Sequence, residues 1–282
     1  DNEPTGLKEG DYLRHKLELN TLNRLLLFTR RGQCFSLPVH QIPEYKWKEN
    51  GTAIVNLISL AKDDRIVSVI PVQSFESDAR SVVFVTKNGQ VKRTPIAEYE
   101  TNRTTGIVAV KLNGEDEVVH VHPSEGNKEI MLVSRLGMAI RFREEEVSSM
   151  GRAAAGVRGM QLKEGDEVIS ALWVEGDEGE VLVVSDLGYA KSSLLMDYPV
   201  QGRGGKGVIT FSFSQAKRGR SNGSRLLKAF YVRESYDLMA VTEQKEMIPV
   251  STEHVPIEDR NSPGKPVFSA RPAPLADVVK LS

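Results

Sequence analysis

The stretch SVVFVTKNGQVKRTP, residues 81–95, decides the fold. An apolar run ends in Thr86, a Lys-Asn-Gly turn follows, and a mixed strand closes on Pro95. Asn-Gly between two such runs is a strong short-range hairpin signal, because the turn demands positive φ. The same layout returns in LLLFTRRGQCFSLPV (25–39), EIMLVSRLGMAIRF (129–142), EVLVVSDLGYAKSS (180–193) and DLMAVTEQKEMIPVS (237–251). Gly32, Gly89, Gly137 and Gly188 occupy the turn, with Lys245 at the fifth equivalent position, at spacings of 57, 48, 51 and 57 residues. A period of this size marks a repeat architecture.

A second glycine opens another β run in each unit: Gly51, Gly106, Gly156, Gly207 and Gly264, 19 residues after the first anchor in four units and 17 in the second. An acidic turn and a fourth strand follow in most units, as in EDEVVHVHP (115–123) and GDEVISALWV (165–174). Branched and aromatic residues dominate these short runs, so they read as strands. The sequence therefore predicts an all-β, propeller-like repeat of four-stranded blades forming one domain over 1–282. The units run over about 21–76, 77–126, 127–176, 177–234 and 235–282. The apolar first strand is expected innermost in its blade. The best short helix candidate is EEEVSSM, 144–150. Residues 7–19, LKEGDYLRHKLEL, resemble the fourth strand at 162–174, so 1–20 reads as an orphan outer strand. Whether the ring closes stays open.

Composition narrows the class of function. Hydrophobic residues make up 40% and charged residues 27%, the balance of a globular protein. No apolar run approaches the roughly 20 residues of a membrane span, and no signal peptide opens the chain. The start, DNEPTGLKEGDYL, reads as a piece of something longer. The single cysteine, Cys34, forms no internal disulfide, which points to a reducing cytoplasm. Net charge is −1, so anion binding requires the 37 Lys and Arg to be segregated onto one surface.

The repeat supplies that segregation. Arg152, Arg203 and Arg260 each stand four residues before the second glycine of their units, while Arg103 and Lys48 stand three before theirs. Arg158 follows Gly156, and the second strands add Lys92, Arg93, Arg141, Arg143 and Lys191. Equivalent positions in a repeat fall in equivalent places, so these cations are expected to form a belt. The second strands of units one and five, CFSLPV and EMIPVS, carry none. KRGRSNGSR (217–225), with Lys217, Arg218 and Arg220, is a further basic loop. Acids fall in turns such as NGEDE and KEGDE, where they read as solubilising.

QGRGGKG, residues 201–207, fits Gly-x-Gly-x-x-Gly but is no nucleotide loop. A dinucleotide site needs a helix next, and VITFSF follows; a Walker loop needs Ser or Thr after the lysine, and Lys206 precedes Gly207. It reads as a flexible loop whose Arg203 and Lys206 can lie against a phosphate backbone. His120 and His122 share a strand face without further metal-ligand partners, Cys34 is a buried thiol, and Trp47 in EYKWKEN is either a rim residue or a loop anchor. No catalytic constellation emerges.

With MGRAAAGVRGMQL, GYAKSSLLMDYP and VFVTKNGQVKRTP together in one chain, the sequence resembles the C-terminal domain of the A subunit of bacterial type IIA topoisomerases, topoisomerase IV and DNA gyrase. The resemblance implies a β-propeller variant, the pinwheel, whose blades exchange strands and whose basic outer edge binds duplex DNA and bends or wraps it. QGRGGKG matches six of seven positions of the gyrase signature Gln-Arg-Arg-Gly-Gly-Lys-Gly, with Gly202 for the first Arg, but in the fourth unit instead of the first. That departure, with PEYKWKE (43–49), favours topoisomerase IV, gyrase being the alternative. A protein-binding scaffold propeller is the reading from another class. By the same resemblance strand cleavage, with Mg²⁺, and ATP hydrolysis lie in polypeptide outside this chain, and the domain itself needs no cofactor. Its implied partners are duplex DNA, the rest of a homodimeric A subunit, and the ATPase B subunit. The isolated domain is expected to be a monomer of the bacterial cytoplasm, at the nucleoid.

Overall fold

In the computed structural model, residues 24–39, 57–214, 221–268 and 273–281 are described. The orphan strand at 1–20, the run opening at Gly51, and Lys48, Trp47, Lys217, Arg218 and Arg220 lie outside them. The first repeat contributes β1 (Arg24–Thr29), β2 (Gln33–Pro38) and β3 (Ile66–Val72). The second contributes β4 (Ser81–Thr86), β5 (Gln90–Pro95), β6 (Ile107–Val108) and β7 (Val118–Ser124). The third holds β8 (Glu129–Ser134), β9 (Met138–Arg143), β10 (Val157–Arg158) and β11 (Val168–Val174). The fourth holds β12 (Glu180–Ser185), β13 (Tyr189–Leu194), β14 (Val208–Ile209) and β15 (Leu226–Val232). The fifth holds β16 (Asp237–Thr242), β17 (Met247–Ser251), β18 (Lys265–Pro266) and β19 (Leu275–Lys280).

The fold is an all-β, five-bladed β-propeller with almost no helix. Two corrections concern how the blades are built. The strands opened by Gly106, Gly156, Gly207 and Gly264 do not stay with their own repeats; each forms an edge of the preceding repeat's sheet. The sheets run β3-β1-β2-β6, β10-β5-β4-β7, β11-β8-β9-β14 and β15-β12-β13-β18, with three strands, β17-β16-β19, in the last. The exchange of strands implied by the resemblance is therefore present. Secondly, the apolar first strand is not an edge: β1, β4, β8 and β12 each lie between two partners, and every residue after the first is buried. Burial on both faces explains their unbroken apolar run.

The Thr or Ser that ends each first strand has a defined task. Thr29, Thr86, Ser134, Ser185 and Thr242 are fully or nearly fully buried. Each hydroxyl accepts the backbone N–H four residues on, at Gln33, Gln90, Met138, Tyr189 and Glu246, at 3.0–3.2 Å. The turn is thus closed by a side chain that a longer or apolar residue cannot supply. The turn residues Gly89 and Lys245 share a left-handed backbone, with φ of 86° and 67°. Lys245 keeps the conformation at the strain a β-carbon brings there.

The acids of the next turn are also structural, which corrects their reading as solubilising. Asp64, Asp116 and Asp166 Oδ1 accept the N–H of Arg31, Asn88 and Leu136, the residue just before the turn glycine, at 2.9–3.1 Å. The helix candidate at 144–150 is one 3-10 turn at Glu144–Glu146, and similar turns occur at Ile96–Tyr99, Leu195–Asp197 and Thr252–His254.

Two compact units divide the chain: residues 1–126 with 147–157, and 127–146 with 158–282. The first holds an aromatic core in which Phe28 meets Phe84 and Tyr99 edge-on at 5.4 and 5.3 Å. The second is packed around Met131, Val181, Val183, Leu195 and Phe211, with a further cluster about Leu182, Leu238 and Phe268. No helix among the described residues is long and apolar enough to cross a membrane.

Candidate nucleic-acid interface

The expected cations separate into two groups. Arg103, Arg143, Arg158 and Lys206 are exposed, and Arg93, Arg152, Arg203 and Arg260 are half-exposed. Lys92, Arg141 and Lys191 are buried at 1, 3 and 0% exposure, which removes them from any surface belt. Position in the strand is the reason. Lys92 and Lys191 are the third residues of β5 and β13, and their side chains turn inward beneath the next repeat's loop.

Arg141 serves as a structural brace. Its guanidinium pairs with Glu129 at 2.7 Å and donates to the carbonyls of Leu195, Tyr198 and Gly176. That consumes a planar donor fork that would otherwise suit phosphate. Lys92 Nζ donates to the carbonyl of Ala109 at 2.7 Å and to that of Arg152. Lys191 Nζ lies 3.1 Å from Ser193 Oγ and donates to the carbonyls of Asp259, at 2.7 Å, and Arg260. Burial pulls both amines down, Lys92 to about 8 and Lys191 to about 7. For Lys191 the charges of Glu258 and Asp259 oppose the shift while Arg260 adds to it; for Lys92, Glu98 opposes and Arg152 adds.

The loop arginines form the repeated surface feature. Arg152 Nη1 donates to the carbonyl of Val108 at 2.6 Å, and Arg203 Nη1 to that of Arg158 at 2.6 Å. Arg260 Nε donates to the carbonyl of Ile209 at 3.0 Å. Val108, Arg158 and Ile209 are the equivalent second residues of β6, β10 and β14. Each guanidinium is therefore oriented by the same backbone atom of a two-residue edge strand. With five N–H donors, it keeps several for an anion. Arg260 is legible from the same spacing, whereas exposed Lys265 beside Gly264 leaves no signal in a fifth second-strand that lacks cations.

QGRGGKG is docked, not flexible. Gln201 N–H donates to the Arg141 carbonyl at 2.7 Å, Gly204 N–H to Gly159 at 2.8 Å, and Gln161 N–H to Gly205 at 2.8 Å. Gly207 has φ of 79°, and a β-carbon there would collide with the Ala139 carbonyl oxygen. Its glycines thus let the loop lie against β9, while Lys206 stays exposed. The arrangement offers cations oriented by backbone carbonyls. Among the described residues no three His, Cys, Asp or Glu side chains cluster as metal ligands. Burial pushes the Cys34 thiol up, which disfavours the thiolate.

A propeller whose edge strands are exchanged between successive repeats defines a class, the repeat-built β-propeller domain. The family model described as the DNA gyrase C-terminal domain, β-propeller, matches residues 23–73, 80–125, 128–173 and 179–215, more than half of the chain. The chain belongs to this family, the C-terminal domains of topoisomerase A subunits. It is 40% identical over 257 residues to the A subunit of Helicobacter pylori DNA gyrase, covering 91% of this chain and 30% of that protein. It is 35% identical over 264 residues to the A subunit of Bacillus subtilis DNA topoisomerase 4, covering 93% of this chain and 32% of that protein. The chain thus spans about a third of the length of these relatives. A crystal structure of the C-terminal domain of DNA topoisomerase IV superposes with a TM-score of 0.85 at 31% identity, covering 94% of this chain and 80% of that one.

Proposed function

We propose that this chain is a non-catalytic domain that binds and bends duplex DNA, presenting it to the strand-passage core of a topoisomerase IV. The observation that carries the reading is the triplet Arg152, Arg203 and Arg260, each oriented by the equivalent carbonyl of an edge strand. Arginines each held in the same local way, with donors to spare, suit the phosphates of a duplex, and such contacts position DNA without reading its sequence. In this reading the enzyme is completed by the rest of a homodimeric A subunit and by the ATPase B subunit. The isolated domain acts as a monomer in the bacterial cytoplasm, at the nucleoid.

Topoisomerase IV is favoured over gyrase by the altered QGRGGKG loop and its place in the fourth repeat. Among the described residues the loop arginines held in this way come from the third, fourth and fifth repeats, so the proposed contacts cover part of an arc. Bending costs of order 1–6 kcal/mol for a 20–30 base-pair site, and a partial arc supports a bend better than a full wrap. Gyrase is the second reading, favoured by the 40% identity to the Helicobacter pylori protein. Ligating nicked plasmid with the protein bound, then reading linking number, separates the two. Bending in a short-fragment energy-transfer assay without a linking-number shift supports topoisomerase IV; a large, stoichiometric positive shift makes gyrase the better reading. No duplex binding at low salt overturns both.

A further inference from the structure

In the second, third and fourth repeats the third residue of the second strand lies beneath the loop that enters from the following repeat, and its identity differs in a patterned way. In the second and fourth repeats it is Lys92 and Lys191; in the third it is Ile140. Lys92 Nζ reaches the backbone carbonyl of Arg152, and Lys191 Nζ that of Arg260. Both therefore grip the very residues whose guanidiniums reach the edge strands. Arg203 sits on a loop of another kind, where a β-carbon at Gly205 would meet Ile140 Cδ1 at 3.7 Å. Glycine packing on an apolar side chain replaces the polar grip there.

The surroundings of both amines are complete. Lys92 has the carbonyls of Ala109 and Arg152 as acceptors, and its Nζ stands 5.1 Å from the centre of the Phe84 ring. Lys191 has the carbonyls of Asp259 and Arg260 together with the Ser193 hydroxyl. With two carbonyl acceptors apiece, both amines keep partners for two N–H groups even without the charge. Neither side chain has exposed surface with which to meet phosphate. Each is placed to act through the arginine loop it holds.

We propose that Lys92 and Lys191 are positioning residues for DNA binding, buried amines that hold the backbone of Arg152 and Arg260 from behind so that these two arginines meet phosphate in a fixed orientation. This rests on the DNA-binding reading given above. Loosening the grip adds the cost of ordering each loop to every binding event.

The test uses the whole chain, a fluorescent duplex of about 40 base pairs, and a salt titration. Lys191→Met keeps length and apolar fit while removing both donated bonds. The log–log salt slope is expected to fall by about 0.9, as one phosphate is no longer neutralised, with affinity down roughly eight-fold at 0.1 M salt. Adding Arg260→Ala to Lys191→Met is then expected to change neither quantity further, and Lys92→Met with Arg152→Ala to behave alike. A Lys191→Met protein with the wild-type slope, or with Arg260→Ala still exacting its full loss, overturns the proposal. Wild-type protein that fails to bind duplex sinks the DNA-binding reading instead, and this proposal with it. Should the Met variants fail to fold, labelled lysine Cε resonances of the wild type decide. DNA is expected to move the signals of exposed Lys206 and Lys265 and to leave Lys92 and Lys191 unmoved; shifts of the buried pair on binding mark them as direct contacts and overturn the proposal.

Discussion

The backbone N–H of Arg203 donates to Glu146 Oε1 at 3.0 Å, so a carboxylate helps to fix the loop that carries the arginine. Arg152 and Glu98 repeat the relationship at 3.1 Å in the first compact unit. An acid beside a DNA-binding cation is unfavourable to phosphate unless its positioning role outweighs the repulsion. Glu146→Gln keeps the oxygen acceptor and removes the charge, so duplex affinity should hold or rise about two-fold. Glu146→Ala removes the acceptor and should weaken binding by about two- to five-fold, the scale of one exposed hydrogen bond at the lower end of 0.5–1.5 kcal/mol. Fluorescence anisotropy on both variants checks the pair. Equal loss in Gln and Ala would mean that the charge itself matters.

Removing Arg152, Arg203 and Arg260 together to Ala should weaken binding to duplexes of any sequence and lower the salt slope by about 0.9 for each phosphate no longer neutralised. Folding should survive, because all three are half-exposed. Arg141→Ala should behave in the opposite sense. It leaves the partly buried Glu129 carboxylate and the carbonyls of Tyr198 and Gly176 without this donor, at a cost of about 3–5 kcal/mol for breaking a buried pair. Denaturant unfolding would show the loss. An Arg141→Ala protein of wild-type stability but poor DNA affinity would return Arg141 to the rim.

The turn glycines give a paired test. Gly89 has φ of 86° and Lys245 φ of 67° at equivalent turns. Gly89→Val should destabilise its blade by about 1–3 kcal/mol, the range for a side chain forced into a sparsely populated backbone region. Lys245→Gly relieves that same strain and should stabilise by up to about 1 kcal/mol, less the backbone entropy glycine adds to the unfolded chain. Thermal unfolding reads both. A Gly89→Val protein melting at the wild-type temperature removes the turn assignment.

Most of the blade is legible in the sequence, because each repeat prints the same apolar run, hydroxyl, turn and second glycine. Two things are not. Strand exchange leaves no local mark: β14 carries the same residues whether it lies on β13 or, as found, on β9. Nor does a strand's alternation say which cations are buried. Lys92 and Arg93 are neighbours, yet one reaches inward to carbonyls while the other is half-exposed. Sequence treats both as positive charge, whereas the backbone carbonyls that claim the first are assembled only by a loop 60 residues further on. Arg152, Arg203 and Arg260 can be found because their spacing to a glycine is fixed, and spacing is what a repeat keeps between its units.

The buried lysines also set a pH dependence whose sign can be worked out. An unfolded lysine titrates near 10.4, whereas burial holds Lys191 at about 7 and Lys92 at about 8. Between those values the unfolded chain binds protons that the folded chain has released, so stability rises with pH across that window. The cost of burying charge is fully present below pH 7 and is relieved as pH climbs. Cys34 acts in the other direction: burial raises its thiol, so above roughly pH 8.5, where an unfolded thiol ionises, the folded state holds the extra proton. The lysine effect is therefore cleanest between pH 7 and 8.5. There the free energy of unfolding should rise by up to about 1 kcal/mol per pH unit for each lysine, a tenfold difference in proton affinity being worth about 1.36 kcal/mol. Lys191→Met should flatten the wild-type slope by about half, and the double variant with Lys92→Met should remove it. Urea unfolding at half-unit pH steps provides the measurement. A wild-type slope that survives in the double variant would mean that these amines are charged and solvated in the folded protein, and the grip on Arg152 and Arg260 would lose its physical basis.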